Sequence, residues 1–479
     1  MQLVKLITLK RIKTLHGLSL TILVVLFSVS NPVFSQDNSP YSRFGIGDLI
    51  PSSNVIGRSM GGISAGYTDV IAINFNNPAS YSSFQSFFEP KSKKMTSGRV
   101  VLDIGVDFES RTLREASPAK KFVAGNALFS YLQVGIPLKK SWGLSFGLRP
   151  ISRISYKISR NERLKDPITG NPIDSAITLY TGSGGSYLAS FGTGFSLFAK
   201  PRANNTMEEK LSVGFNAGYL FGEKDYSTKR SFLNDSVDYY QANFETKTNF
   251  HNIYFNAGIQ YKLPLNTSKR ISLTIGAFGN LGQKINASQD ILRETFLFDD
   301  NLGQIRLDSI SDQRNIKGKI TLPSSFTIGF VTQKPIIIEK DRKEGGWMIG
   351  MDFSMQNWNK YRFYGQVDSV KNKWEIRVGG QINPVPKRNY FSNVAYRAGF
   401  FIGPDYINVG QKLSRFGASF GMGLPLSISR QAPNQFTLIN LGFEYSKRGN
   451  NNNLLKENMF RFSLGFSLSD LWFVKRKYD

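Results

Sequence analysis

Acid–base or nucleophilic chemistry would have to be built here from very little. Beyond the first 35 residues the sequence holds a single histidine, His251, and it has no cysteine anywhere. His251 precedes Asn252, so a Ser-His-Asn arrangement would need the fold to bring a serine within hydrogen-bond distance. A rim histidine at a strand start is the simpler reading. No His, Asp and Glu grouping has metal-ligand spacing, and the missing thiols exclude thiolate sites and disulfides together. Neither a metal nor another cofactor is expected, and the chain does not read as an enzyme. Gly182-Ser183-Gly184-Gly185 has the composition of a phosphate-cradling loop, but no strand-to-helix unit follows it; it reads as a flexible loop end. There remain six charged residues on one face of otherwise two-sided segments: Asp103, Asp107, Arg149, Asp352, Arg377 and Arg397.

Those segments alternate with a period of two. Phe460, Phe462, Leu464, Phe466 and Leu468 fall on one side of the last one, and Arg461, Ser463, Gly465, Ser467 and Ser469 on the other. Side chains alternate across a strand, whereas a helix would scramble these faces. The same pattern runs through Val100–Glu109, Leu128–Ile136, Trp142–Arg149, Leu211–Phe221 and Ile253–Lys262, and less tidily through eight further segments. About fourteen strands result. Pro150 interrupts the ladder after Arg149, which predicts a bulge or kink there.

The start of the chain sets the compartment. Lys5, Lys10, Arg11 and Lys13 precede an apolar run from Leu18 to Val29, and Val33-Phe34-Ser35 before Gln36 has the form of a cleavage site. Residues 1–35 therefore read as a removed signal peptide, the run being short of the ~20 residues that span a bilayer. With 60 Lys and Arg against 35 Asp and Glu the chain carries +25 at pH 7, or about +21 without the leader's four basic residues. In an exported protein such a charge does not point to nucleic acid. Basic loops can instead meet lipopolysaccharide or anionic lipid headgroups.

Ten residues at ~3.3 Å each, tilted by ~40°, cover roughly 25 Å, the height of an outer-membrane apolar band. The expected architecture is thus all-β, a transmembrane antiparallel barrel over residues 99–479, with apolar faces in lipid and polar faces in the lumen. A secreted β-sandwich would also alternate, but its polar faces are not expected to be dominated by Gly, Ser, Asn and Thr. Short turns are assigned to the periplasm, and the long connections near 159–186, 223–249 and 283–318 to the outside. Trp142, Trp347, Trp358, Trp374 and Trp472 are expected in the interfacial girdles.

Residues 36–98 alternate poorly. Gly57-Arg58-Ser59-Met60-Gly61-Gly62 leads through Asp69 to Asn76-Asn77-Pro78-Ala79. This order resembles the N-terminal hatch of the long-chain fatty acid transporter (FadL-type) family of outer-membrane barrels, on Gly61, Gly62, Asp69, Asn77, Pro78 and Ala79. Asp352 with Asn357, Trp358 and Tyr361, and Arg377-Val378-Gly379-Gly380 before Pro384 and Tyr396-Arg397-Ala398-Gly399, are similar to later family strands. The resemblance implies fourteen strands, a hatch inside the lumen, and diffusion of hydrophobic small molecules towards an opening in the barrel wall. Physics also asks for a plug, since fourteen strands enclose more space than their own side chains fill. Asn77 can satisfy backbone groups of an irregular buried segment, and Pro78 needs no donor. The inward charges are expected to anchor the hatch, since charge on the midplane lipid face costs ~2–4 kcal/mol.

Tyr41-Ser42-Arg43-Phe44-Gly45-Ile46-Gly47-Asp48-Leu49 and the basic ending Lys475-Arg476-Lys477 depart from the family pattern and suggest a distinct branch. Two functions follow. One is a channel for hydrophobic compounds. The alternative is a non-transporting accessory barrel bound to a protein-secretion (type IX) translocon, as some relatives are.

Overall fold

The computed structural model describes residues 39–89, 95–115, 119–202, 207–232, 240–299, 303–339, 342–426 and 435–472. The leader and the Lys475–Lys477 ending lie outside them. Fourteen antiparallel strands form a closed wall. They are β1 (Met95–Glu115), β2 (Lys120–Lys139), β3 (Trp142–Lys165), β4 (Pro172–Arg202), β5 (Met207–Phe232) and β6 (Gln241–Asn266). Next come β7 in two pieces (Ile271–Asn280 and Gln283–Asp299), β8 in two (Gly303–Leu322 and Ser325–Lys334), β9 (Gly346–Gln356) and β10 (Lys373–Asn383). The wall ends with β11 (Ala395–Val409), β12 (Gln411–Leu426), β13 (Phe436–Arg448) and β14 (Leu455–Trp472), and β14 closes it by pairing with β1.

Alternation does what two-faced strands must. Phe108, Phe215, Phe255, Phe330, Phe353, Phe400 and Phe460 are exposed outwards, while their strand neighbours Asp107, Asn216, Asp352 and Arg461 are buried inwards. An exposed apolar belt running round a closed sheet is stable in lipid and not in water. Among the described residues no helix is long and apolar enough to cross a membrane; the strands cross it.

Height is uneven. β4 has 31 residues, whereas β9 and β10 have 11 each. The stretches expected as long loops, 159–186, 223–249 and 283–318, are largely strand, continuing the ladders of β3 to β8 past the belt. Hairpins in water keep their backbone bonds while losing apolar alternation, the signal that marked strands in the sequence. Gly182–Gly185 likewise lies inside β4, not at a loop end, and Gly184 and Gly185 take positive φ where the backbone of Ser152 and Glu223 comes close. Among the girdle tryptophans Trp358 is the exception: it is 3% exposed, within the lumen.

We call the end where the chain joins the wall at Met95 the near end, and the other the far end. From Ser39 the chain crosses the lumen at the far end as a strap to Ile50, descends into a plug, and leaves by Ser86–Phe88, which pairs with β1. The plug contains α1 (Val55–Arg58), capped by Asn54, and a 3-10 turn over Pro78–Ser83. Wall glycines let it lie flush. A Cβ on Gly194 or Gly214 would strike Pro78, one on Gly258 would strike Asn77, and one on Gly379 or Gly399 would strike Met60. Gly194, Gly214 and Gly258 stand in one cross-strand row, and Gly379 lies opposite Gly399.

Candidate functional site

Several of the residues singled out in the sequence lie where the plug meets the wall, and others bond within one of the two. Asn77 accepts from Ala79 N (3.2 Å), capping the turn that Pro78 opens, and donates to Ala65 O (2.7 Å). Asp69 accepts from Tyr67 Oη (2.7 Å) and Ile71 N (3.0 Å). Gly61, at φ +70, fits beneath the backbone of Val378 and Phe400 and donates to Ser419 Oγ (2.9 Å); Gly62 lies against Arg377. From the wall, Asp107 pairs with Arg58 of α1, Asp103 accepts from Ile73 N (3.3 Å), and Asp352 accepts from Ser64 N (2.6 Å) and Ala65 N (2.9 Å). Arg149 donates to Ser52 O (3.1 Å) and Asn76 Oδ1 (3.5 Å). The remaining two bond within the wall, Arg377 to Glu375 (2.6 Å) and Arg397 to Gln381 (2.6 Å) and Asn440 (2.9 Å).

Between plug and strap lies a chamber of about 220 Å³. Ser52, Arg58 and Gly62 form its floor, and Ile46, Leu49 and Trp358 its roof; Ile151, Tyr254, Phe278 and Leu322 supply apolar side wall. The roof belongs to an apolar cluster in the far half of the lumen that includes Tyr41, Leu188, Phe250, Ile320 and Tyr406. The opposite side is cationic. On β10 and β12 Glu375 serves both Lys373 (3.1 Å) and Arg377 (2.6 Å), and Arg415 lies over the ring of Phe401; on β3, beside Ile151, Arg149 lies over the ring of Phe75, and neither Arg149 nor Arg415 forms an ion pair among the described residues. Burying an uncompensated charge is costly, so the chamber suits an anion at Arg149.

The wall beside the chamber is not fully laddered. β2 and β3 pair from Lys139/Trp142 to Leu132/Leu148 and no further, although both strands continue. The break comes where Pro150 removes a donor and shifts the β3–β4 register. Above it the freed edge of β3 takes the strap as a substitute partner. Ser39 N donates to Ser155 O (3.1 Å), Ser155 N to Ser42 Oγ (3.1 Å) and Ile50 N to Ile151 O (3.0 Å), and Asp48 and Leu49 pair with Arg153 and Ser152. Among the described residues Arg153 alone reaches across the seam, to Asn126 Oδ1 at 3.0 Å.

Side chains of which only Tyr361 stood out in the sequence clamp the strap on its other side. Tyr226 Oη donates to Arg43 O (2.7 Å), Tyr406 Oη to Phe44 O (3.1 Å) and to Gly47 O, and Lys224 Nζ (2.7 Å) and Tyr361 Oη (3.0 Å) to Gly45 O. Gly45 N donates to Asp368 (2.7 Å). Each partner lies far off in sequence, so only the absence of the Tyr41–Leu49 motif from the family pattern hinted that the segment has a dedicated seat. His251 sits on the outer face beside Tyr219, and no hydrogen bond joins it to a described serine.

Comparison with solved structures finds the CymD monoaromatic hydrocarbon channel (12% identity, 89% of this chain and 98% of that one, TM-score 0.46). It also finds the Pseudomonas putida toluene transporter TodX (14%, 88% and 99%, 0.46) and a Pseudomonas aeruginosa FadL homologue (12%, 89% and 100%, 0.47). Comparison with curated proteins returns no match. The fold stands on its own strand register, and lineage on a sequence profile that spans nearly the whole chain: matching over residues 12–479, the protein belongs to the BamG family.

Proposed function

We propose that this is an outer-membrane channel through which hydrophobic small molecules diffuse, using the chamber as a waypoint and the β2–β3 seam as a lateral door. The near end then faces the periplasm and the far end the outside, in keeping with the general orientation of such barrels. The observation that carries the reading is the coincidence of two features: the wall ladder stops at Leu132/Leu148, and the chamber is lined by the next residues, Arg149, Pro150 and Ile151. At about 220 Å³ the chamber exceeds the ~150 Å³ of an apolar cavity that takes up benzene, enough for one small ring or a short alkyl chain. Arg149 favours cargo that carries an acidic end. The strap closes the door, so passage requires it to leave the β3 edge. No observation among the described residues favours the accessory-barrel alternative.

The test uses the missing cysteines. Leu49 and Ser152 are directly opposed in an antiparallel pair, a spacing that a disulfide can bridge. In liposomes, Leu49→Cys/Ser152→Cys should pass a fluorescent apolar tracer when reduced and stop when oxidised. Equal flux in both states places the route elsewhere, and wild-type flux no higher than that of protein-free liposomes removes the channel.

A further inference from the structure

On the outward face at the far end, three cations stand in one cross-strand row. Lys121 of β2 is opposite Arg114 of β1, which is opposite Lys456 of β14. Directly opposed residues point to the same side of a sheet; Leu113 and Glu457, the inward neighbours of Arg114 and Lys456, are buried, and on β2 the first buried inward residue is Ala124. Lys447 of β13 adds a fourth cation one row lower, opposite Asn458. Like charges directly opposite one another destabilise a sheet. Elsewhere on the far-end extension several cations have carboxylates: Lys247 has Glu223 (3.1 Å), Arg306 has Glu294 (3.3 Å) and Arg314 has Asp312. Lys121, Arg114 and Lys456 form no ion pair among the described residues; Lys456 donates to neutral Asn451 (2.6 Å).

Height identifies the missing anion. Beneath the row the same face carries Val123, Phe129, Phe108 and Phe460, all exposed, with Phe108 stacked on Phe462. At ~3.3 Å per residue and ~40° tilt, Arg114 stands about 15 Å above Phe108 and Lys456 about 10 Å above Phe460. Long basic side chains can reach down several ångströms from there, into the headgroup layer bordering the apolar core. A soluble anion has no use for the apolar surface below; a lipid covers it with its chains.

We propose that Lys121, Arg114 and Lys456 bind the phosphorylated headgroup of a lipid of the far-end leaflet, with its acyl chains against Phe129, Phe108 and Phe460. This rests on the barrel alone and stands whether or not the lumen conducts. The site flanks the free edge of β2, so its lipid lies at the lip of the seam.

Native mass spectrometry of the full-length protein released from mild detergent tests it, with lipid A, its dephosphorylated form and inorganic phosphate as probes. Wild type should hold one lipid A at least tenfold more tightly than the dephosphorylated form. K121Q/R114Q/K456Q should lose that preference, whereas K121R/K456R, which keeps the charge and controls for folding, should retain it. Inorganic phosphate at millimolar concentration should not displace the lipid. Equal binding of the two lipids to wild type, or an unchanged preference in the triple variant with the barrel still resistant to heat, overturns the proposal. Displacement by inorganic phosphate assigns the row to a soluble anion and overturns it as well.

Discussion

Asp48 of the strap and Arg448 at the far end of β13 are 400 residues apart in the chain and 2.8 Å apart in space. Asp48 also meets Arg111 (2.7 Å), and Glu457 bridges the same two guanidinium groups at 3.0 and 3.2 Å. One buried carboxylate thus latches the strap to β1 and β13. Asp48→Asn removes the charge while preserving shape, leaving two buried arginines short of an anion. Breaking a buried pair from one side typically costs about 3–5 kcal/mol. A lower thermal midpoint in detergent, together with faster proteolysis within residues 39–50, is the expected outcome.

The same latch has a definite acid response. Burial alone would raise the Asp48 carboxyl, but Arg448 and Arg111 outweigh it and hold the group well below the usual carboxylate range. A depressed folded value means that stability is fully present above the ordinary value near pH 4 and is lost as pH falls towards the folded one. The difference in midpoint between wild type and Asp48→Asn should therefore be constant above about pH 5 and shrink below pH 4. A difference that widens on acidification would show that Asp48 is not the latch.

Tyr406 tests the clamp without touching charge. Its hydroxyl serves Phe44 O and Gly47 O, while its ring lies 4.2 Å from that of Trp358. Tyr406→Phe keeps the ring contact and takes a donor from Gly47 O and from Phe44 O, the latter keeping the Gly47 amide, at about 1–3 kcal/mol for a buried group. Hydrogen exchange should rise across Phe44–Leu49 and stay unchanged in α1, which has no contact with this hydroxyl.

Strands were legible because lipid outside and plug inside impose opposite polarity at every second residue, as Phe460 and Arg461 illustrate. The plug's turn was legible through Asn77-Pro78, whose cap is local. The strap's seat was not. Its donors Tyr226, Tyr361 and Tyr406 lie 183, 316 and 362 residues from the carbonyls they serve, and no short-range pattern encodes such contacts. Trp358 misled for a related reason: a tryptophan at a strand end serves a lipid interface or a lumen roof equally well, and the course of residues 357–372 decides between them.

Glycines facing the plug predict a leak. A side chain at Gly214 would enter the space occupied by Pro78 and the Ala79 nitrogen, and backbone cannot rotate away as a side-chain tip can. Gly214→Leu should push the 3-10 turn off the wall while the β4–β5–β6 ladder stays intact. In planar bilayers the variant should show a steady ion conductance absent from wild type, with an unchanged strand signal by circular dichroism. A silent variant would mean that the strap and its roof seal the lumen without the plug.

Arg149 separates stability from function most cleanly. It is held by Ser52 O and Asn76 Oδ1, with no described carboxylate in ion-pair range. Replacing a poorly compensated buried charge by an apolar side chain of similar size is commonly neutral or stabilising by about 1–4 kcal/mol. Arg149→Leu should therefore leave the thermal midpoint unchanged or raised. If the chamber takes an acidic end, the same variant should bind a short-chain fluorescent carboxylate at least tenfold more weakly, with an uncharged analogue unaffected. Isothermal titration of both ligands against both proteins gives the comparison. A lowered midpoint with carboxylate affinity intact would recast Arg149 as a structural tie between Ser52 and β3, with no role in cargo selection.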